Sequence, residues 1–241
     1  GVLKSRMAAA VQCGVLKSRM AAAVQCGVLK SKGRQKTILF LKGESMEIRF
    51  YAISDACIAK LFSVDKRVLS NHENDRKHTR PYIGFLIKLD NYNYFLPLSS
   101  EDPKDYDKHG KLRLSTQTIL RMKNKKGDFL GKILLNNMIP VPDSEIQEIS
   151  LNKEALTLNK KTDSHIIKEN KYKDLLIDEL NWIKENILEI TRKAKRLYSA
   201  KINENNKTYW EGREKPKFLE ATVDFKKLEA SVTMEYAKSK L

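Results

Sequence analysis

The sequence predicts an α+β fold: a strongly curved antiparallel sheet with helices packed around it, including one long helix in the C-terminal half. Three observations lead there. Two apolar, aromatic runs, Arg80–Leu89 and Tyr94–Leu98, flank the turn residues Asp90-Asn91-Tyr92-Asn93 and form a hairpin. Phe129–Ile139 supplies a further extended or buried segment that stops at Pro140. From His165 to about Ile202, Tyr172, Leu175, Leu176, Leu180, Ile183, Ile187, Ile190, Ala194 and Leu197 recur at spacings of three and four, the period of a helix with one buried face.

The other elements follow in chain order. Gly1–Cys13 reads GVLKSRMAAAVQC, and Gly14–Cys26 repeats it without a change before a third copy starts at Gly27 and diverges. Thirteen residues are too few for a stacking structural repeat, and perfect identity is unlike one. A tandem DNA repeat of 39 nucleotides, three for each of the 13 residues, explains it better. Lys42-Gly43-Glu44-Ser45-Met46 can be encoded by a ribosome-binding sequence followed by a start codon. Residues 1–45 are therefore expected to be translated upstream repeat and leader, with a disordered or helical basic extension as the alternative, and 46–241 to be the functional domain.

Glu47–Ile53 has strand character, and Ser54 and Asp55 can cap a short helix running to about Leu61–Val64. Asp65–Arg80 reads as a long polar loop, and Ser99–Lys111 as a second one leaving the hairpin. Lys111–Met122 is ambiguous. Glu145–Ile149 can form a short strand, Asn203–Lys217 is polar, and Phe218–Lys238 has no clear pattern.

Composition narrows the function. The net charge of +16 points to a polyanionic partner, nucleic acid first. Residues 1–45 carry nine Lys/Arg and one Glu, so half of that excess remains on 46–241. No apolar run approaches a membrane span, and the N-terminal segment has no secretory pattern, so a cytoplasmic location is expected. Three cysteines and four scattered histidines give no disulfide framework and no metal-ligand spacing, and no metal or cofactor is expected. Nucleotide-binding glycine loops and the hydrolase serine elbow are absent.

Polar groups cluster in the two loops beside the hairpin. One holds Asp75-Arg76-Lys77-His78-Thr79-Arg80; the other holds Ser99-Ser100-Glu101-Asp102-Pro103-Lys104 and Lys108-His109-Gly110-Lys111. A hairpin brings its outer ends together, so the loops should face each other. Such a set suits RNA cleavage by the substrate's own 2′-hydroxyl: cations neutralise a pentavalent phosphorane, hydroxyls hold its oxygens, and a Lys or His moves protons. The same residues also suit a plain solvated loop or a non-catalytic RNA-binding surface.

The run RPYIGFLIKLDNYNYFLPLSS (Arg80–Ser100), with Pro103-Lys104 and Lys108-His109 after it, resembles the ToxN/AbiQ/CptN family of type III toxins. MEIRFYAIS at Met46, LGKILLNNMIPVPDSEI at Leu130–Ile146 and YKDLLIDELNWIKEN at Tyr172–Asn186 extend the resemblance over about Met46–Ile202. It implies a small barrel-like sheet of the MazF/Kid kind. It also implies a metal-independent endoribonuclease leaving 2′,3′-cyclic phosphate ends on cellular or phage RNA. The implied partner is a tandem-repeat antitoxin RNA of pseudoknots, encoded just upstream, that closes with the toxin into a ring-like assembly. That agrees with the repeat read independently from residues 1–45. By residue, the resemblance implies an essential hydroxyl at Ser100 with Ser99 beside it, and a phosphorane-binding cation at Arg80. Proton transfer falls to Lys104, Lys108 or His109; Glu101-Asp102, inserted before Pro103, departs from the family's spacing around Lys104. Arg76, Lys77, His78, Thr79 and Lys111 are the expected RNA contacts.

Overall fold

The computed structural model describes residues 47–69, 83–154 and 160–238, with side chains of the long and last helices from 163 to 233. Residues 1–46 lie outside it, as does the stretch 70–82 that carries Arg76, Lys77, His78, Thr79 and Arg80.

The hairpin is the centre of the sheet. Strands β2 (Ile83–Leu89) and β3 (Tyr92–Ser99) pair antiparallel from Gly84↔Pro97 to Leu89↔Tyr92. A two-residue turn joins them, with Asp90 at φ 52°, a left-handed conformation that Asp tolerates. Phe85, Ile87, Tyr94, Phe95 and Leu96 are buried. Gly84 is required by a close approach: a Cβ there would overlap the Leu96 carbonyl oxygen and lie 2.7 Å from Phe95 Cζ.

On its other edge β3 changes partner. Asn93–Phe95 pair with β6 (Ile139–Val141), whereas Leu98 and Ser99 pair with Ile133 and Lys132 of β5 (Phe129–Leu134). The 3-10 turn Leu135–Asn137 links β5 to β6, so the expected single segment Phe129–Ile139 divides in two. Strand β4 (Ile119–Lys123) flanks β5, and β1 (Tyr51–Ile53) joins β2 to β7 (Ile146–Glu148). The seven strands run β4-β5-β3-β2-β1-β7, with β6 on β3. Among the described residues all pairings are antiparallel, and the path is open, ending at β4 and β7 where a closed barrel would join them.

Helix α1 (Asp55–Val64) starts as its sequence predicts: Ser54 Oγ accepts from the Cys57 amide at 3.1 Å. The chain after it is irregular, as expected of a loop, but its first residues pack inward: Asp65 and Val68 are buried. Asp65 accepts from Arg67 Nη2 at 2.8 Å and from the Asp224 amide at 2.7 Å, tying α1 to the C-terminal segment. Burial alone would raise the Asp65 pKa, but Arg67 and the two amides outweigh it and hold it down to about 2. A depressed carboxyl pKa gives stability that is present above the unfolded value and lost as pH falls toward the folded one. Asp65→Asn should therefore lower stability by about 2 kcal/mol at neutral pH and by much less near pH 2, which urea unfolding at both pH values measures.

Helix α2 (Lys160–Ile202) is 43 residues long and packs on β4 and β5 with Leu176, Ile183, Ile190, Ala194 and Leu197 buried. The polar stretch Asn203–Lys217 contains a short helix, α3 (Lys207–Trp210), capped by Asn206. Trp210 is an anchor there: its Nε1 donates to Asn203 O at 2.8 Å and its ring packs against the core. The unassigned C-terminal residues form α4 (Phe225–Lys238), which buries Phe225, Leu228 and Val232 against β6, α1 and α2. Glu229 of α4 accepts from Tyr94 and Tyr198 hydroxyls, both at 2.7 Å, and from Lys226 at 2.8 Å.

Candidate functional site

The site forms where β3 ends. Ser99 pairs with Lys132 of β5, which pairs with Arg121 of β4, so the three occupy one cross-strand row. Alternation along a strand puts row members on one face. Two cations within apolar strands require a counter-charge once buried. The 3-10 turn Pro103–Asp105, immediately after β3, supplies it. Asp105 is 2% exposed; Lys132 Nζ donates to it at 2.6 Å and Arg121 Nε at 3.0 Å. Burial would raise the Asp105 pKa, but Lys132 foremost, then the Asp102 amide and Arg121, hold it below the usual carboxylate range. One carboxylate faces two cations, leaving net positive charge behind the surface.

This ionic centre fixes the loop that follows. Asp102 and Asp105 close a reciprocal cap on the turn. The Arg113 amide donates to Asp105 O at 2.8 Å, and Arg121 Nη1 to Leu114 O at 2.8 Å. Tyr106 bridges to Leu112. At the tip, Asp107 accepts from the amides of His109 at 2.8 Å and Lys111 at 2.9 Å, and Gly110 takes φ 72°.

The ordered loop presents several expected residues to solvent. Ser100, Lys104, Lys108, His109 and Lys111 are exposed, and their side chains make no hydrogen bond or ion pair among the described residues. Ser99 is half-buried, its Oγ donating to Ser100 O at 3.4 Å. These six follow one another along the chain from the end of β3 to the loop tip. The structure does not join Ser100 by a hydrogen bond to Lys104, Lys108 or His109. The five expected residues from Arg76 to Arg80 lie outside the described residues, so the expected facing of the two loops does too.

Sequence reasoning missed Asp105, Arg121 and Lys132. Their signal was a cation between apolar strand residues, in Leu120-Arg121-Met122 and in Gly131-Lys132-Ile133. It missed Glu179 too, a buried acid on α2. Farther along α2, Arg192, Lys195 and Arg196 are exposed, and Lys193 Nζ donates to Thr116 O at 3.3 Å, joining the helix to the site loop. Trp182 packs against the core. Among the described residues no helix is long and apolar enough to cross a membrane, and no three His, Cys, Asp or Glu converge as metal ligands.

Comparison with known proteins places this architecture. The family profile described as "Toxin ToxN, type III toxin-antitoxin system" matches residues 49–233. The chain is 29% identical over 182 residues to the endoribonuclease ToxN of Bacillus thuringiensis subsp. kurstaki, covering 75% of this chain and 80% of that one. A solved type III toxin, selectively inhibited by a non-coding RNA pseudoknot, superposes with a TM-score of 0.57 at 27% identity, over 78% of this chain and 98% of that one. AbiQ, a lactococcal anti-phage endoribonuclease of a type III system, superposes with a TM-score of 0.55 at 26% identity, over 79% of this chain and 98% of AbiQ.

Proposed function

Because this chain belongs to the ToxN toxin family of type III toxin–antitoxin systems, we propose that it is an endoribonuclease toxin whose active site is the Ser99–Lys111 rim. The observation that carries the reading is the exposed hydroxyl of Ser100, at a strand end backed by a buried excess of positive charge. In this reading the rim, together with Arg80, holds the scissile phosphate. The RNA 2′-hydroxyl attacks that phosphate in line, the 5′-oxygen leaves, and the product is a 2′,3′-cyclic phosphate with a 5′-hydroxyl. Ser100 orients the phosphate or the 2′-hydroxyl, and one of Lys104, Lys108 and His109 carries the proton transfer. Arg76, Lys77, His78, Thr79 and Lys111 contact the RNA strand. The reaction needs no metal, and the protein works in the cytoplasm.

The inhibiting partner is a tandem-repeat pseudoknot RNA that closes with the toxin into a ring-like assembly. The 13-residue repeat of Gly1–Cys26 is what such a gene gives when read in frame ahead of a toxin starting at Met46. The exposed cations of α2 supply further phosphate contacts.

Ser100→Ala tests the reading directly. The full chain should cleave labelled RNA in EDTA and leave cyclic-phosphate ends, whereas Ser100→Ala should lose about 10²-fold in kcat, the scale of removing one oxyanion-type contact, and still bind RNA. Salt-sensitive binding by both chains with cleavage by neither would make this a non-catalytic RNA-binding module.

A further inference from the structure

The face of the sheet opposite Asp105 holds a group that the cleavage reading leaves unused. One row beyond Ser99–Lys132–Arg121, Gly131 of β5 pairs with Met122 of β4. Strand alternation turns this row away from Asp105 and toward α2. Glu179 of α2 fills the space there. A Cβ at position 131 would overlap Glu179 Oε1 and would lie 3.3 Å from the Ser99 carbonyl oxygen and 3.4 Å from Met122 Cε. The missing side chain at 131 lets the Glu179 carboxyl lie against the strand backbone, beside the Ser99 carbonyl.

Glu179 is 5% exposed and makes no hydrogen bond or ion pair among the described residues. Its neighbours one helical turn away, Leu175, Leu176, Trp182 and Ile183, are apolar. The cations of the facing strands, Arg121 and Lys132, lie on the adjacent row and are turned into Asp105; Lys123, at the end of β4, is exposed. Burial with no compensating cation pushes the Glu179 carboxyl up to about 8. At neutral pH the acid is uncharged and fits its seat. Loss of the proton puts a charge among apolar side chains with no cation to offset it, which weakens the contact with Gly131.

We propose that Glu179 is a positioning residue, which holds the Ser99–Ser100 end of β3 in its cleaving geometry through Gly131 and does so only while it carries its proton. This rests on the reading of Ser100 as part of the active site. It makes the nuclease self-limiting in alkali through a group that touches no RNA.

The test is kcat and KM of the full chain on labelled RNA between about pH 6 and about pH 10, with thermal melts at each pH, for wild type, Glu179→Gln and Glu179→Leu. In wild type, kcat should fall about tenfold per pH unit above about pH 8, with KM nearly unchanged. Glu179→Gln, an uncharged match in shape, should keep kcat within about threefold of wild type at pH 7 and lose that alkaline fall, and Glu179→Leu should lose it too. The same alkaline fall in both variants would overturn the proposal while leaving the nuclease reading intact. A folded Glu179→Gln that loses more than about tenfold in kcat at pH 7 would also overturn it, by making the acid a proton donor. A Glu179→Gln chain that does not fold would make the role structural instead. A wild type that binds RNA without cutting it would remove the cleavage reading and this proposal together.

Discussion

Asp105→Ala is expected to lower stability by about 3–5 kcal/mol and to abolish RNA cleavage even in the molecules that remain folded. The substitution leaves Lys132 and Arg121 buried, at 9% exposure each, with no carboxylate between them. An uncompensated buried charge costs far more than the pair contributes when intact, because desolvation is then opposed by nothing. The loop from Ser100 to Ser115 would also lose the side chain that accepts from the Asp102 amide and anchors the turn. Urea unfolding at neutral pH gives the stability, and kcat under conditions where the variant is folded gives the second effect. A stability loss below about 1 kcal/mol would mean that the two cations reach water without Asp105. Replacing all three charges by apolar residues should recover most of the stability but none of the activity, which separates the fold's need for neutrality from the site's need for this geometry.

Glu229→Leu is expected to cost about 3 kcal/mol and to lower the melting temperature by about 10 °C without direct effect on the rim. Glu229 is 3% exposed and accepts from the hydroxyls of Tyr94 and Tyr198, which the substitution would strand in an apolar setting. Burial, with Glu229 adding to it, raises both phenol pKa values, Tyr198 to about 12 even though Lys226 pulls it down. The phenols therefore stay protonated and act as donors to the carboxylate. Their rings pack edge-on at 5.7 Å, and Phe225 stacks on Tyr198 at 5.6 Å, so the network joins β3, α2 and α4 at one point. Lys226→Met should cost much less, since that side chain is 56% exposed. Calorimetric melting of both variants checks the contrast; equal losses would move the stabilisation from the tyrosine hydroxyls to the ion pair.

How much was legible in the sequence follows from how local each signal is. The hairpin and α1 were readable because turn and cap chemistry lie within a few residues, at Asp90-Asn91 and at Ser54. Helix α2 was readable because one period persists over many turns. Helix α4 was not: its 14 residues are short, and its polar Glu229 occupies a buried position that makes sense only beside Tyr94 and Tyr198. The division of Phe129–Ile139 into β5, a turn and β6 was hidden for a similar reason, because both strands answer to the same edge of β3. The site split the same way. Ser99, Ser100 and the Lys-His loop announce themselves in one stretch of chain, whereas Asp105, Arg121 and Lys132 are brought together from three separate segments. Glu179 reads on paper as one more acid on a charged helix; only Gly131 opposite it reveals the seat.

The pairing of β1 with both β2 and β7 has a consequence for synthesis. Tyr51 meets Gly84 on one side and Glu148 on the other, and Ser99 meets Lys132. A ribosome that has made the serine hairpin has not yet made the strand that completes the site, nor the strand that covers the edge of β1. Contacts so distant in sequence form late, after the loops between them have closed. With the proposed site, a chain cut short before β5 should therefore fail to cleave RNA, a result that assay of such a truncated chain beside the full chain checks.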